Sequence, residues 1–376
     1  MRSTKWVSVI AAAALTFGVA ACGSDDNDNS GSSSGSGTAA STTADSGSAS
    51  GKVALLLPES KTARYESQDR PNFERKLKEI CPNCSEIYSN ADQDASKQQQ
   101  QAEAALTQGA KVLVLDPVDA ASAAAIVTRA SQSKVPVISY DRLISNSKVA
   151  YYISYDNAKV GKLQATSLVD KLKKDGSKGS IVMINGAPTD NNAKLFKEGA
   201  HSVIDSSGFK VGKEYDTPGW TPAKAQTEMD QAISALGKTG FVGVYAANDG
   251  TAGGAIASMK GAGIAPSTRP TTGQDAELAG IQRILAGDQY MTVYKPIKPL
   301  AATAAKWAVD LLNGKKPTDT NTTENNGKVD VPTLKIAVKP VTADTVKSTV
   351  VADKYWTPAQ ICTSAYAAAC KKYGIQ

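Results

Sequence analysis

The chain has 376 residues, a formal net charge of +6 and a single histidine, His201. Its lysines are spread rather than clustered, so the charge gives no nucleic-acid footprint. With one histidine, a Ser-His-Asp triad or a His-rich metal site would have to use His201. Neither a GxxxxGK[ST] phosphate loop nor a strand-linked GxGxxG is present, and no cofactor and no metal is expected.

At the N-terminus, Arg2 and Lys5 precede an apolar stretch over 6–21, too short and too rich in small residues for a membrane span. It ends in Val19-Ala20-Ala21-Cys22, which resembles a bacterial lipobox. Residues 1–21 therefore read as a lipoprotein signal peptide, with Cys22 the lipidated first residue of the mature protein; the alternative is an ordinary secretory signal ending near a cysteine. Lipidation would anchor the protein to the membrane without spanning it. Residues 22–50 hold almost only small and polar side chains, cannot bury enough surface to offset their ordering entropy, and read as a flexible tether. Two patterns there are chance matches. Gly31-Ser32-Ser33-Ser34-Gly35 fits the hydrolase G-x-S-x-G pattern with no strand before it. Asp26, Asp28 and Gly31 begin like a calcium loop, whose twelfth position is Gly37 and cannot ligate. The roughly 325 residues that remain carry a formal charge of +8 and suit two domains.

From residue 52 onward, short β-rich runs alternate with Ala-rich helical runs. The clearest strands are 52–58, 111–116, 135–140, 180–185 and 241–246, nearly continuous apolar runs of the kind covered on both faces. Helical patterns span 98–108, 120–133, 158–174, 223–235 and 253–261. Alternation on this scale predicts parallel sheets with right-handed crossovers. The plan of 111–142 (strand, acidic turn, helix, strand) recurs over 241–275, as two similarly folded lobes would produce. Besides Cys22 there are four cysteines, and their short spacings favour local disulfides, Cys81–Cys84 and Cys362–Cys370. The C-x-x-C at 81–84 could also be a redox pair or half a metal site, but it follows a helical run instead of opening a helix, which favours a structural staple. His201 shares a helical face with Lys194 and Lys197 and reads as solvated.

In open parallel α/β sheets, ligands bind at the carboxyl ends of the strands. Lys61, Arg64 and Tyr65 follow the first strand; Asp141 and Arg142 follow 135–140; Asp190, Asn191 and Asn192 follow 180–185. Asn248 and Asp249 follow 241–246, Asp275 follows the next strand, and Lys295 follows 290–294. Taken singly, Asp190 and Asn248 could be helix N-caps, and Tyr65 an ordinary half-buried aromatic. As a set, they place carboxylates, guanidinium groups and carboxamides at every strand end. Adjacent sugar hydroxyls each donate and accept, so such groups can bind them in pairs. The apolar faces of a sugar ring pack on aromatic rings, a task open to Tyr65 and Trp220. A wrong stereocentre would leave a buried polar group unpaired, at about 1–3 kcal/mol.

Longer motifs carry a family resemblance. They are Tyr140-Asp141-Arg142-Leu143-Ile144, Tyr152-Ile153-Ser154-Tyr155-Asp156-Asn157, Asp190-Asn191-Asn192-Ala193-Lys194-Leu195-Phe196, Asn248-Asp249-Gly250-Thr251-Ala252-Gly253-Gly254-Ala255-Ile256, Gly273-Gln274-Asp275-Ala276 and Met291-Thr292-Val293-Tyr294-Lys295-Pro296-Ile297. From residue 52 to about 353 the chain resembles the D-xylose-binding receptors of ABC transporters, within the type I periplasmic sugar-binding fold. The resemblance implies an α/β protein of two doubly wound parallel-sheet lobes joined by a three-segment hinge. The N-terminal lobe would comprise 51–156 plus about 296–328, and the C-terminal lobe 157–295 plus about 329–355. The crossovers would fall near Asp156-Asn157, near Lys295-Pro296 and within 327–331. Arg64, Arg142, Asp190, Asn192, Asn248, Asp275 and Lys295 would contact sugar hydroxyls, with Asp141 beside them, while Tyr65 and Trp220 sandwich the ring. Relatives carry Trp where this chain has Tyr65. The implied function is a monomeric, non-enzymatic receptor, lipid-anchored at the outer face of the cell membrane, that closes on a pentose and docks on an ABC permease. The alternatives are a sugar-sensing lipoprotein of the same fold, or a receptor for ribose, arabinose or glucose. An enzyme is disfavoured because no residue pairs as nucleophile and base. Cys81/Cys84 and the tail 356–376 depart from the family, and the pair Cys362–Cys370 would pin that tail to a lobe.

Overall fold

A computed structural model describes residues 50–375. The leader, Cys22, the two chance motifs and the tether as far as residue 49 lie outside the described residues. Ser50, the last residue assigned to the tether, already opens the first strand.

The strands, in chain order, are β1 (Ser50–Leu57), β2 (Asn83–Asn90), β3 (Ala110–Leu115), β4 (Val137–Tyr140), β5 (Tyr151–Tyr155) and β6 (Ser180–Asn185). After them come β7 (Lys210–Asp216), β8 (Phe241–Ala246), β9 (Met291–Tyr294), β10 (Thr322–Asn325), β11 (Asp330–Ile336) and β12 (Lys339–Thr342). The first sheet has the order β10-β11-β5-β4-β3-β1-β2, parallel throughout except at β10. In the second, β7-β6-β8 pair in parallel. Bridges from Val244 to Thr271 and from Gln274 to Val293 lead on to β9, which pairs antiparallel with β12. The interior strands β1, β3, β4, β6 and β8 are the apolar runs read from the sequence. The edge strands β2 and β7 are half-exposed along their length and mix polar with apolar residues, so they carry no such run.

The helical patterns form helices with shifted ends. The one expected over 120–133 is regular only from Ala124 to Gln132, because the Asp119 carboxylate accepts the Ala121 and Ser122 amides and holds a turn ahead of it. Helices Asn157–Lys174 and Asn191–Ile204 cross with their backbones in contact. A Cβ at Gly161 would lie 2.0 Å from the Phe196 carbonyl oxygen, and one at Gly199 would lie 2.1 Å from that of Ala158. Only glycine permits that approach, and it seats Phe196 against the site described below.

The chain leaves the first sheet after β5, through Asp156, into helix Asn157–Lys174 on the second lobe. It returns after β9, through Lys295 and Pro296, into helix Ile297–Leu312, which packs on helix Arg70–Ile80 and β3. The third crossing corrects the expected boundary at 327–331. Residues 326–329 instead turn a hairpin between β10 and β11, and β11 stays in the first sheet, with Thr333 opposite Tyr152 and Ile336 opposite Tyr155. The crossing falls between Ile336 and Lys339. The Gly327 turn has the local chemistry of a boundary, and only long-range pairing shows that it is not one.

Cys81–Cys84 and Cys362–Cys370 are both disulfide-bonded. The C-terminal segment packs Trp356, Ile361, Cys370 and Ile375 against Ile281 and Ile284 of helix Leu278–Ala286. His201 is not simply solvated. Its Nδ1 lies 3.1 Å from Asp205 and its Nε2 lies 3.1 Å from Glu214. Burial pushes the imidazole down, but Glu214 and Asp205 outweigh it and hold His201 above its ordinary value of 6.5. A raised histidine stabilises the fold while protonated, and that contribution is lost as pH rises through the raised value. With one histidine in the chain, an NMR titration is unambiguous. The midpoint is expected above 6.5 and should fall in Glu214→Gln; a midpoint at or below the ordinary value in the parent chain would contradict the pairing.

Candidate functional site

The ten residues that the family resemblance singles out all line one cavity between the carboxyl ends of the two sheets, together with Thr62, Phe196 and Gln274. Each of the ten is at most 4% exposed. Two chains of buried charge form its walls. In the first, Arg64 grips Asp69 through two hydrogen bonds of 2.9 and 2.7 Å, and its NH1 lies 2.5 Å from Asp141. The same nitrogen is 3.6 Å from Asp275, which comes from the opposite lobe, and the Lys295 ammonium is 3.2 Å from that carboxylate. Lys295 sits on the second crossing and rests against the ring of Tyr155, which precedes the first.

The second wall is built around Arg142. Its Nε lies 3.0 Å from Asp190, across the cleft, and 3.5 Å from Asp116 at the end of β3. Its NH1 donates to the Pro117 carbonyl, and its NH2 donates to the Tyr65 hydroxyl at 3.1 Å. Asp190 is a helix N-cap and a site residue at once. Oδ1 accepts the Asn192 amide at 2.8 Å, and Oδ2 accepts the Trp220 indole N–H at 3.1 Å. Asn192 donates to Asp141 Oδ1 at 2.9 Å and accepts from Asn157, just past the first crossing. Asn248 shows the same double use. Its Oδ1 caps helix Asp249–Gly261, which leaves the amide nitrogen to offer the cavity.

Electrostatics follows from burial and partners. Burial pushes Asp141 up, but Arg64, Lys295 and Arg142 outweigh it and hold this carboxyl below the usual range. Burial raises Asp190 and Asp69, and only part of that is offset by Arg142 and Arg64 respectively. Asp116 is driven well above the usual carboxylate range by burial, against the pull of Arg142. Backbone conformation adds a second feature. Asp141, Trp220 and Asp275 adopt positive φ of 56°, 55° and 89°, a region that non-glycine residues rarely enter. The Trp220 ring lies over Gly186, where an added Cβ would meet it at 2.0 Å.

Three strand-end residues from the sequence do not reach the cavity. Lys61 is exposed and Asn191 is half-exposed. Asp249 is buried behind the wall, where it accepts from Glu277, Gln289 and Thr292, and burial pushes it to about 7. Conversely, Asp116 ends a strand that was read correctly, and the strand-end rule could have found it. Asp69 and Phe196 lie on helical turns and carry no local signal. The lining contains amides, carboxylates, cations and aromatic rings but no Ser, Cys or His. Among the described residues, no group of three or more His, Cys, Asp or Glu is placed to hold a metal. Such a set can hold a neutral, multiply hydroxylated molecule by directed hydrogen bonds, with an aromatic ring for its apolar face.

The model of the periplasmic binding protein domain matches residues 53–316. The chain belongs to the periplasmic binding protein family. This binding protein is 37% identical over 308 residues to the D-xylose-binding periplasmic protein of Escherichia coli K12, covering 81% of this chain and 90% of that one. It is 36% identical over 298 residues to a multiple sugar-binding periplasmic receptor of Rhizobium radiobacter, covering 74% and 83%. A carbohydrate transporter solute-binding protein of Chloroflexus aurantiacus, solved with D-glucose, superposes with a TM-score of 0.75 at 30% identity, covering 82% and 97%. The two-lobe architecture is the type I form of the fold, and the relatives are solute-binding proteins, not enzymes.

Removing Arg64 would leave Asp69 buried without its cation and take from Asp141 the strongest of its three. Arg64→Met is expected to destabilise the sugar-free protein by about 3–5 kcal/mol in urea unfolding. An unchanged midpoint would show that the carboxylates are not held by that guanidinium.

Proposed function

We propose that this chain is the extracytoplasmic, lipid-anchored substrate-binding protein of an ABC importer, and that it closes on one molecule of D-xylose. The observation that carries the proposal is the convergence of Arg64, Arg142, Asp190 and Asp275, from both lobes, on a cavity flanked by Tyr65 and Trp220. Its lining of paired charges and carboxamides, with two aromatic rings, suits a monosaccharide. Arg142 with Asp190, and Asp275 with Lys295, each offer a donor beside an acceptor, as two neighbouring hydroxyls require. The names of the xylose-binding relatives support a pentose. The multiple sugar-binding relative is the reason to test hexoses beside it.

In this reading the lobes turn about the three crossings, and the closed form docks as a monomer on the permease's membrane subunits. Cys22 would carry the lipid that keeps the receptor at the outer face of the membrane. Among the described residues no helix is long and apolar enough to cross a membrane, which is compatible with such an anchor.

Calorimetric titration with D-xylose, ribose, arabinose, glucose and galactose should give one-to-one binding, tightest for xylose. Arg142→Ala should weaken it by about 10–100-fold, the worth of one or two hydrogen bonds to a charged group. Heat from none of the sugars would overturn the receptor reading, and a preference for another sugar would overturn only the xylose assignment. Unchanged affinity in Arg142→Ala would show that the sugar binds elsewhere. Expressed in a bacterium with lipoprotein processing, the parent chain should incorporate a labelled fatty acid and Cys22→Ser should not; equal labelling would remove the anchor.

A further inference from the structure

The proposed site depends on a turn that its own sequence does not favour. Asp275 and Ala276 are consecutive non-glycine residues at positive φ, 89° and 50°. A left-handed pair of this kind persists only where its surroundings over-determine it. The amide sides of the turn are held from within the second lobe: Asp275 N–H donates to the Val293 carbonyl, and Glu277 N–H donates to the buried Asp249 carboxylate at 2.9 Å. The carbonyl sides are held from elsewhere. The Tyr355 hydroxyl donates to the Asp275 carbonyl at 3.1 Å, and the Trp356 indole N–H donates to the Ala276 carbonyl at 2.8 Å. Tyr355 and Trp356 pack edge to face at 5.5 Å, and Tyr355 packs likewise on Tyr294, the neighbour of Lys295.

Tyr355 also touches the other lobe. Its own carbonyl accepts from Gln68 Nε2 at 3.3 Å, and Gln68 directly precedes Asp69, the residue that grips Arg64. One residue therefore links the backbone of a cavity carboxylate to the helical turn that carries the facing arginine. Trp356 is held in place by the segment after it: Gln282 donates to the Gln360 and Ile361 carbonyls, and Cys370 is buried among the same apolar side chains.

We propose that Tyr355 and Trp356 are positioning residues for Asp275: they fix the left-handed turn that aims its carboxylate into the cavity, and through Gln68 Tyr355 ties that aim to lobe closure. This rests on the sugar-binding reading of the site. Neither aromatic lines the cavity, so their effect on binding passes through the residues they hold, and a double-mutant cycle isolates the part carried by Asp275.

The test is a thermodynamic cycle on the full chain. Tyr355→Phe keeps the ring and removes only the hydroxyl bond, and it is expected to weaken D-xylose binding by about tenfold, the worth of one buried hydrogen bond. In an Asp275→Ala background the same change should cost less than about twofold, because residues that act through one group are not additive. Asp275→Gly, which tolerates positive φ and likewise removes the carboxylate, replaces the alanine background if that variant melts early without sugar. Equal losses in both backgrounds, or no loss in Tyr355→Phe alone, would overturn the proposal. If the parent chain bound none of the sugars, the proposed function would fall, and amide hydrogen exchange in the sugar-free chain would decide the positioning claim separately. Faster exchange at Ala276 and Glu277 in Trp356→Phe would support it, and unchanged exchange would overturn it.

Discussion

Three cations and five carboxylates are buried within one cavity wall: Arg64, Arg142 and Lys295 against Asp69, Asp116, Asp141, Asp190 and Asp275. Charge at that density is tolerated only when each group has a partner in geometry good enough to offset its desolvation. The ion pairs are arranged in a way that suits a cleft that opens. Each arginine keeps carboxylates from its own lobe, Asp69 and Asp141 for Arg64 and Asp116 for Arg142, and gains one from the opposite lobe, Asp275 or Asp190. Separating the lobes would remove the second partner and still leave Arg64 its own-lobe pair, Asp69 and Asp141. Arg142 keeps less: Asp116 lies 3.5 Å away and burial favours its neutral form, so its own-lobe acceptors are the Pro117 carbonyl and the Tyr65 hydroxyl.

That constraint explains why so much of the surrounding backbone is unusual. Asp141, Trp220 and Asp275 are all in left-handed conformations, and each is held by contacts from outside its own segment. The Asp141 carbonyl accepts from Tyr152, Ser154 and Asn192. Trp220 is fixed by its bond to Asp190 and by a glycine beneath its ring, and Asp275 by Tyr355. A directed polar site needs its groups within a few tenths of an ångström, and turns at strand ends reach such placements only when several elements hold them together.

Much of this was legible in the sequence, and the failures have specific causes. Strands β4, β6 and β8 are continuous apolar runs, so their carboxyl ends, and with them Asp141, Asp190 and Asn248, could be located. Asp190 and Asn248 did not have to be either caps or site residues, because a side chain with two polar ends can serve as both. Asp69 and Phe196 were not found, since helical residues join the site only through tertiary packing. The third crossing was misplaced because the Gly327 turn looks locally like a domain boundary, whereas membership in a sheet depends on pairing with β5. Nothing in the local sequence around Tyr355 and Trp356 points to Asp275, eighty residues away.

The most direct measurement is a crystal structure of the chain grown with D-xylose. The ring should lie between Tyr65 and Trp220, with hydroxyls bonded to Arg142, Asp190 and Asp275 and the lobes closed over it. A sugar bound outside this cavity, or within it but touching neither Arg142 nor Asp275, would contradict the paired-charge wall as the recognition element.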